Sequence, residues 1–369
     1  MGWLPFRLHL SEQWLLALAD PGGDRPSPSR LLSPSQFVRL IESARRHWVL
    51  PMVVHSLQRA EARGGISRML EGGLESPINR DAIDIARRTV HGLVARSALL
   101  RVHAQEVLAA MRGAGVPTAV IKGAAVADRL FRPPSLRCFN DIDLIVPRSD
   151  WEASRSVMQR LGFRAHAILG TAEGSYGQEA WSRPDDPGVV VEIHWDLVNV
   201  PSMRAGVSVV WEDFFAPRSN SATHDATLSP AALLLIASVH GGAGHRFDRL
   251  GYLCDVLQCA RGIAGPIDTQ WLRLACGRTG AWLSVAASLR LAAQAFDCDQ
   301  ARGLAAELSR APGAVVAFPL SVRQVLRSQG SSRALTGIQR QFFRQRLKRP
   351  RARRSSGDHP VGVERRIVQ

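Results

Sequence analysis

The sequence predicts an α+β protein in which a small mixed sheet is held between an N-terminal and a C-terminal helical region. Three observations predict it. Apolar residues recur at helical spacing through residues 1–115; short β-rich runs punctuated by glycine and proline occupy 116–204; helical spacing returns through 205–335. A basic segment, 336–369, closes the chain and reads as a fraying helix followed by a mobile tail.

In the N-terminal region, "SPSQFVRLIESARRHWVLPMVVHSLQRA" opens on a Ser/Pro start and sets Phe37, Leu40, Ile41 and Ala44 at helical spacing. A longer helix, "DAIDIARRTVHGLVARSALLRVHAQEVLAAMRGAG", is stopped by Gly113 and Gly115. The texture changes at Val116. "PTAVIKG" is a short β run closed by glycine, "AAVADRLF" is helical, and "FNDIDLIVP" is a strand bounded by Pro147. Ser149 and Glu152 have the spacing of a capping box for the next helix. "GVVVEIHWDLV" then alternates with the period of a strand. Ser229 and Pro230 mark the N-cap and first position of the helix that begins the C-terminal region proper.

With 46% apolar residues the chain can bury an extensive core. Its longest apolar run, "AALLLIASV", is far below the roughly 20 residues that cross a bilayer, so no membrane partner is expected. The start, "MGWLPFRLHLSEQWLLALAD", lacks a basic leader and a small-residue cleavage site, and a cytoplasmic location is expected. Five cysteines without a CxxC pair argue against a disulfide framework and a zinc ribbon, and they are expected as buried thiols. The net charge of +15 points to an anionic partner, yet residues 338–369 alone carry ten basic residues against two acidic ones. That segment is a candidate contact for RNA or DNA, and equally a solubilising tail. Only two of the 47 basic residues are lysines, which makes Lys122 conspicuous.

Side chains at i and i+2 of a strand face the same way, so Asp141 and Asp143 project together while Ile142, Leu144 and Val146 enter the core. Two adjacent carboxylates repel unless a cation lies between them, and a hard divalent ion, Mg²⁺ above all with Mn²⁺ as the alternative, suits oxygen ligands. Alone, Asp-x-Asp is also what a solvated strand edge carries. The second strand adds Glu192, His194 and Asp196 on one face. Glu192 is the choice for a third acid and Asp196 the reserve. Acids from two strands can hold two metal ions about 4 Å apart, the arrangement that clamps both oxygens in phosphoryl transfer. Lys122-Gly123 lies at a strand-to-helix turn, where glycine lets a phosphate approach the backbone and the ammonium supplies a charge. The order of a Walker A loop is absent.

The segments "IKGAAVADRLF", "LRCFNDIDLIV" and "VVVEIHWDLV", in this order, resemble the uncharacterised nucleotidyltransferase family of bacteria, a branch of the polymerase-β-like nucleotidyltransferase superfamily. The likeness extends from about residue 30 to 265, taking in "ARRHWVLPMV" and "HGGAGHRFDRLGYLCDVL". The resemblance implies a polymerase-β-like mixed sheet and transfer of a nucleoside monophosphate from an NTP, ATP first, to an acceptor hydroxyl. It implies that Asp141 and Asp143 bind metal, that Glu192 completes the site, and that Lys122, Gly123 and Arg137 handle the triphosphate. The wider superfamily usually has Gly-Ser at the turn, where this chain has Lys122-Gly123.

Around this set the roles stay open. Arg137 suits a phosphate oxygen or an exposed loop; His194 suits a second shell beside Glu192, a base, or a structural bond, and Asp196 a place in the same second shell. Trp195 is expected in the core. His240, His245 and Asp255 are read as a polar network behind the site in preference to a metal centre, because their spacing is not that of helical zinc pairs. Ser175 lacks a nucleophile elbow. The acceptor, whether protein, small molecule, peptide product or tRNA, has no readable code. Two other readings compete: an inactive nucleotide-binding scaffold, and an RNA-directed, toxin-like enzyme using the 338–369 tail.

Overall fold

The computed structural model describes residues 8–166, 176–215, 227–309, 320–328, 341 and 343–348. Helices α1 (Leu10–Leu18), α2 (Pro34–Arg46), α3 (Leu50–Ala62) and α4 (Pro77–Gly113) form the N-terminal region. Strand β1 (Ala119–Val120), helix α5 (Ala124–Leu130), strand β2 (Ile142–Ile145) and helix α6 (Trp151–Arg160) follow, then strands β3 (Arg164–Ala165), β4 (Gln178–Ser182) and β5 (Val191–His194). Beyond α7 (Pro201–Arg204), the C-terminal region holds α8 (Pro230–Val239), α9 (Leu250–Ala260), α10 (Thr269–Thr279), α11 (Trp282–Phe296), α12 (Asp299–Ser309) and α13 (Val322–Leu326). The expected mixed sheet between helical regions is present.

The sheet runs β1-β2-β5-β4-β3, with β2 and β5 parallel at its centre and every other pair antiparallel. A parallel central pair needs a crossover, and α6 with the β3–β4 hairpin supplies the chain between them. One sheet face is closed by α4 and α6, where Leu100, Val107 and Met111 meet Ile142, Leu144, Val157, Val191 and Ile193 in one buried cluster. The larger core belongs to both helical regions at once, since Trp14, Phe37 and Val53 share it with Leu235, Leu257 and Phe296. Burying apolar surface from both ends of the chain couples their folding.

Several local expectations hold and several change. Ser229 caps α8 by accepting the Ala232 N–H, and Gly115 follows α4 with φ +69°. The first long helical run is instead two helices, turned at a corner where Trp48 adopts φ +59°. The capping box at Ser149 is not formed, because a 3₁₀ turn (Arg148–Asp150) precedes α6 and the Ser149 hydroxyl donates to Asp150 at 2.8 Å. Cys254, Cys259, Cys276 and Cys298 are buried free thiols, while Cys138 is half-buried. Among the described residues no helix is long and apolar enough to cross a membrane. Part of the expected tail is packed helix: Phe343 and Leu347 are buried, with the Phe343 ring 5.6 Å from that of Phe247. The rest of the basic run lies outside the described residues.

His47 fixes the α2–α3 corner. Its Nδ1 accepts the Leu250 N–H at 3.3 Å, its Nε2–H donates to the Leu326 carbonyl at 3.0 Å, and its own carbonyl accepts the Gly251 N–H at 3.0 Å. Burial drives its pKa down to about 4, and the Leu326 carbonyl only partly offsets this. A depressed folded pKa means stability fully present above about 6.5 and lost as pH falls through about 4. The expected loss is about 3 kcal/mol. Urea denaturation between pH 7 and 4 should therefore show a steeper decline in the wild type than in His47→Gln.

Candidate active site

The parallel register sets Asp143 beside Glu192 and Ile145 beside His194. Strand alternation sends Ile142, Leu144, Val191 and Ile193 to the α4–α6 side, and Asp143, Glu192 and His194 to the other. Asp141 immediately precedes β2. On the far side of β2, β1 pairs antiparallel and the Ile121 N–H donates to the Asp143 carbonyl at 3.1 Å, which brings Lys122 over the acids. Gly123 then turns the chain into α5 with φ +49°, and a Cβ there would stand 3.2 Å from the Phe139 ring. Both facts demand glycine.

The Lys122 ammonium donates to Asp143 Oδ1. His194 Nε2–H donates to the same oxygen at 3.1 Å and lies 3.6 Å from Glu192 Oε2. Ligand atoms of Asp143, Glu192 and His194 all fall within 4.8 Å of one another. Burial would raise the Asp143 pKa, but Lys122 and His194 outweigh it and hold the carboxyl well below the usual range. Asp141 moves the other way. Burial and the Asp143 charge push it up to about 6, against the opposing pull of Lys122. Burial pulls Lys122 down, yet Asp143 and Glu192 together leave its pKa raised. His194 is raised as well: burial and Lys122 disfavour its cation, and bonds to Asp143 and Glu192 prevail. Three carboxylates thus share one lysine, and the oxygen-rich donor set with its surplus negative charge suits a hard divalent cation.

The acids form the floor of a cavity of about 610 Å³. Lys122, Gly123, Arg137, Asp141, Asp143, Glu192 and His194 all line it. The α2–α3 corner contributes Arg45, Trp48, Leu50 and Pro51, and the start of the C-terminal region contributes His240 and His245. His240 opens a π-helical turn after α8, His240–Gly244, and His245 follows it. A Cβ on Gly241 would meet Tyr252 at 3.1 Å and one on Gly242 would meet Ser284 at 3.0 Å, so the glycines permit close packing here. His240 and His245 stand 5.1 and 4.9 Å from the Tyr252 ring. Burial and Lys122 depress the His240 pKa well below the usual value, so this wall is neutral at pH 7.

Two sequence-predicted residues take other roles. Arg137 grips Asp255 with both arms of its fork, at 2.9 and 3.0 Å, and donates to the Cys138 carbonyl at 2.8 Å. Its hydrogen-bonding edge is directed into the protein, and Asp255 belongs to that ion pair. Asp196 does not join the acids as reserve ligand or second shell. β5 ends at His194, the Trp195 and Asp196 N–H groups both donate to the Gly177 carbonyl, and the Asp196 carboxylate accepts Val198 N–H, Val209 N–H and the Ser208 hydroxyl. It fastens a loop because β5 ends two residues before it. Trp195 is buried, as expected, and the guanidiniums of Arg148 and Arg204 lie 3.7 and 4.5 Å from its ring centre. Ser175 lies outside the described residues. Arg45 and Trp48 were missed as cavity residues; Pro51 shortly after an apolar helical run was the available sign of a corner there.

A mixed sheet that sets acids on two neighbouring strands, beneath a cavity walled by helices, is consistent with the architecture of nucleotidyltransferases. The chain belongs to the family described as uncharacterised nucleotidyltransferase, whose model matches residues 33–297. No curated protein matches the chain. Membership supports nucleotidyl transfer as the general activity.

Proposed function

We propose that the chain transfers a nucleoside monophosphate from an NTP, ATP in the first instance, to an acceptor hydroxyl, which loses its proton and bonds the α-phosphorus as the α–β anhydride breaks and pyrophosphate leaves. The observation that carries this is the cavity floor: Asp141, Asp143 and Glu192 line it together, the buried Asp143 bonded by Lys122 and flanked in register by Glu192. Asp141, Asp143 and Glu192 would hold Mg²⁺, which when bound supplies Lewis acidity at the phosphoryl group and lowers the pKa of the acceptor hydroxyl. Lys122 offers a compact charge to phosphate oxygens as the bond to the leaving group breaks. Gly123 keeps the turn free of a side chain, so phosphate can approach the backbone. His194 orients Asp143 through its Nε2–H, and the neutral His240 and His245 wall faces the floor without adding charge.

The test is self-labelling and acceptor labelling with α-³²P-NTPs in the presence of Mg²⁺. Metal-dependent incorporation by the wild type, absent from Asp141→Ala/Asp143→Ala, is the expected result. A second reading has one observation in its favour: Lys122 and His194 both bond the same Asp143 oxygen, the state of a carboxylate neutralised by protein cations. On that reading the cavity binds nucleotide without transferring it. NTP binding that is indifferent to Mg²⁺ and to the double substitution, with no labelling, would select it.

A further inference from the structure

Trp48 is the one large aromatic side chain of the α2–α3 corner, and its conformation is costly. It has φ +59°, a region that bulky L-residues rarely enter. Its side chain is 41% exposed and lines the acidic cavity. The left-handed residue ends α2, where the Val49 N–H donates back to the Ala44 carbonyl at 3.0 Å, and the turn presents a large, partly exposed aromatic side chain to the cavity. The corner is held rigid from behind. His47 bonds Leu250, Gly251 and Leu326, the Arg249 guanidinium lies 3.7 Å from the Trp48 ring centre, and Tyr252 meets the ring edge-on at 5.7 Å. Arg249 and Tyr252 thus pack on the indole, which stays partly exposed and lines the cavity.

We infer that Trp48 is the stacking platform for the nucleobase of the NTP, an inference that rests on the proposed nucleotide reading. An exposed indole that packs on a guanidinium and lines the cavity offers aromatic surface to a planar heteroaromatic ring, which every NTP carries. The triphosphate end is drawn to Lys122 and Gly123 at the floor, and the base end meets the helical wall. Recognition by stacking does not depend on the pattern of donors on the base edge, so the four common NTPs should bind within about tenfold of one another.

The experiment titrates the full chain with an ATP analogue carrying carbon at the α–β bridge, and separately with inorganic tripolyphosphate, both with Mg²⁺. Trp48→Leu keeps apolar bulk and the same backbone demand at the corner but removes the π-face; Trp48→Phe restores a ring. The expected result is a roughly ten- to hundredfold loss of analogue affinity in Trp48→Leu, largely recovered in Trp48→Phe, with tripolyphosphate binding unchanged. Equal analogue affinity in wild type and Trp48→Leu would overturn the inference, and so would parallel loss of both ligands. Failure of the wild type to bind the analogue would overturn the nucleotide reading itself, and with it the inference. Failure of Trp48→Leu to fold leaves the comparison of wild type with Trp48→Phe, in which analogue binding weakened together with tripolyphosphate counts against stacking.

Discussion

Asp143→Asn is expected to reduce Mg²⁺-dependent nucleotidyl transfer by about a thousandfold or more, measured as single-turnover labelling from an α-³²P-NTP. The size follows from position. Asp143 sits at the junction of the acid cluster, paired in register with Glu192 and bonded by both Lys122 and His194. Losing its charge removes a metal ligand worth several kcal/mol of transition-state stabilisation, at about 1.4 kcal/mol per decade. It also leaves a buried lysine without its partner, so the variant should be less stable than the wild type. Asp141→Asn should have the opposite sign for folding. Burial and the neighbouring Asp143 raise the Asp141 pKa to about 6. A carboxyl raised in the folded state contributes stability that is present below about 3.8 and lost as pH rises through about 6. At pH 7.5 its charge is therefore a burden in metal-free protein, and the asparagine should raise the melting temperature while impairing transfer. Mg²⁺ should raise the wild-type melting temperature more at pH 7.5 than at pH 5. A metal effect that is equal at the two pH values, or Asp141→Asn melting below the wild type, would argue against a cation at this cluster.

Much of this site was legible because strand alternation is a local rule. Ile142, Leu144, Val191 and Ile193 point one way and Asp143, Glu192 and His194 the other, as the period of two requires. The same rule failed at Asp196 because it assumes that the strand continues. The bonds that the Trp195 and Asp196 N–H groups donate to the Gly177 carbonyl end it, and no local signal in "HWDL" announces that. The pairing of Arg137 with Asp255 joins residues 118 positions apart and was invisible for the same reason. Ser229 as N-cap and Gly115 after α4 were readable, since caps are decided by a few neighbouring residues. Trp48 shows the limit from the other side. Its segment has helical composition on both flanks, with Pro51 the one local sign of a corner, and the packing of His47 against α9 and α13 holds the chain in the turn.

Arg137→Ala is expected to cost about 3–5 kcal/mol of folding stability in urea denaturation, the range for breaking a buried ion pair by removing one partner. Both partners are buried, the fork is bidentate at 2.9 and 3.0 Å, and the third arm holds the Cys138 carbonyl. Burial disfavours the charged form of each, and the Arg137 pKa is nonetheless raised because Asp255 prevails. Asp255 is left above its usual value, since burial dominates there even with the guanidinium in place. Removing Arg137 therefore strands an acid that burial already burdens, on a helix packed in the larger core. Arg137→Met/Asp255→Leu removes both charges and fills the volume, so it should be far less damaging than either single change. This double variant also separates structure from phosphate binding. An arginine whose work is to anchor α9 behind the floor can be replaced as a pair with NTP affinity nearly intact, whereas an arginine that meets the triphosphate cannot. A folded double variant that has lost NTP binding at least tenfold would return Arg137 to the phosphate-binding set implied by the family resemblance.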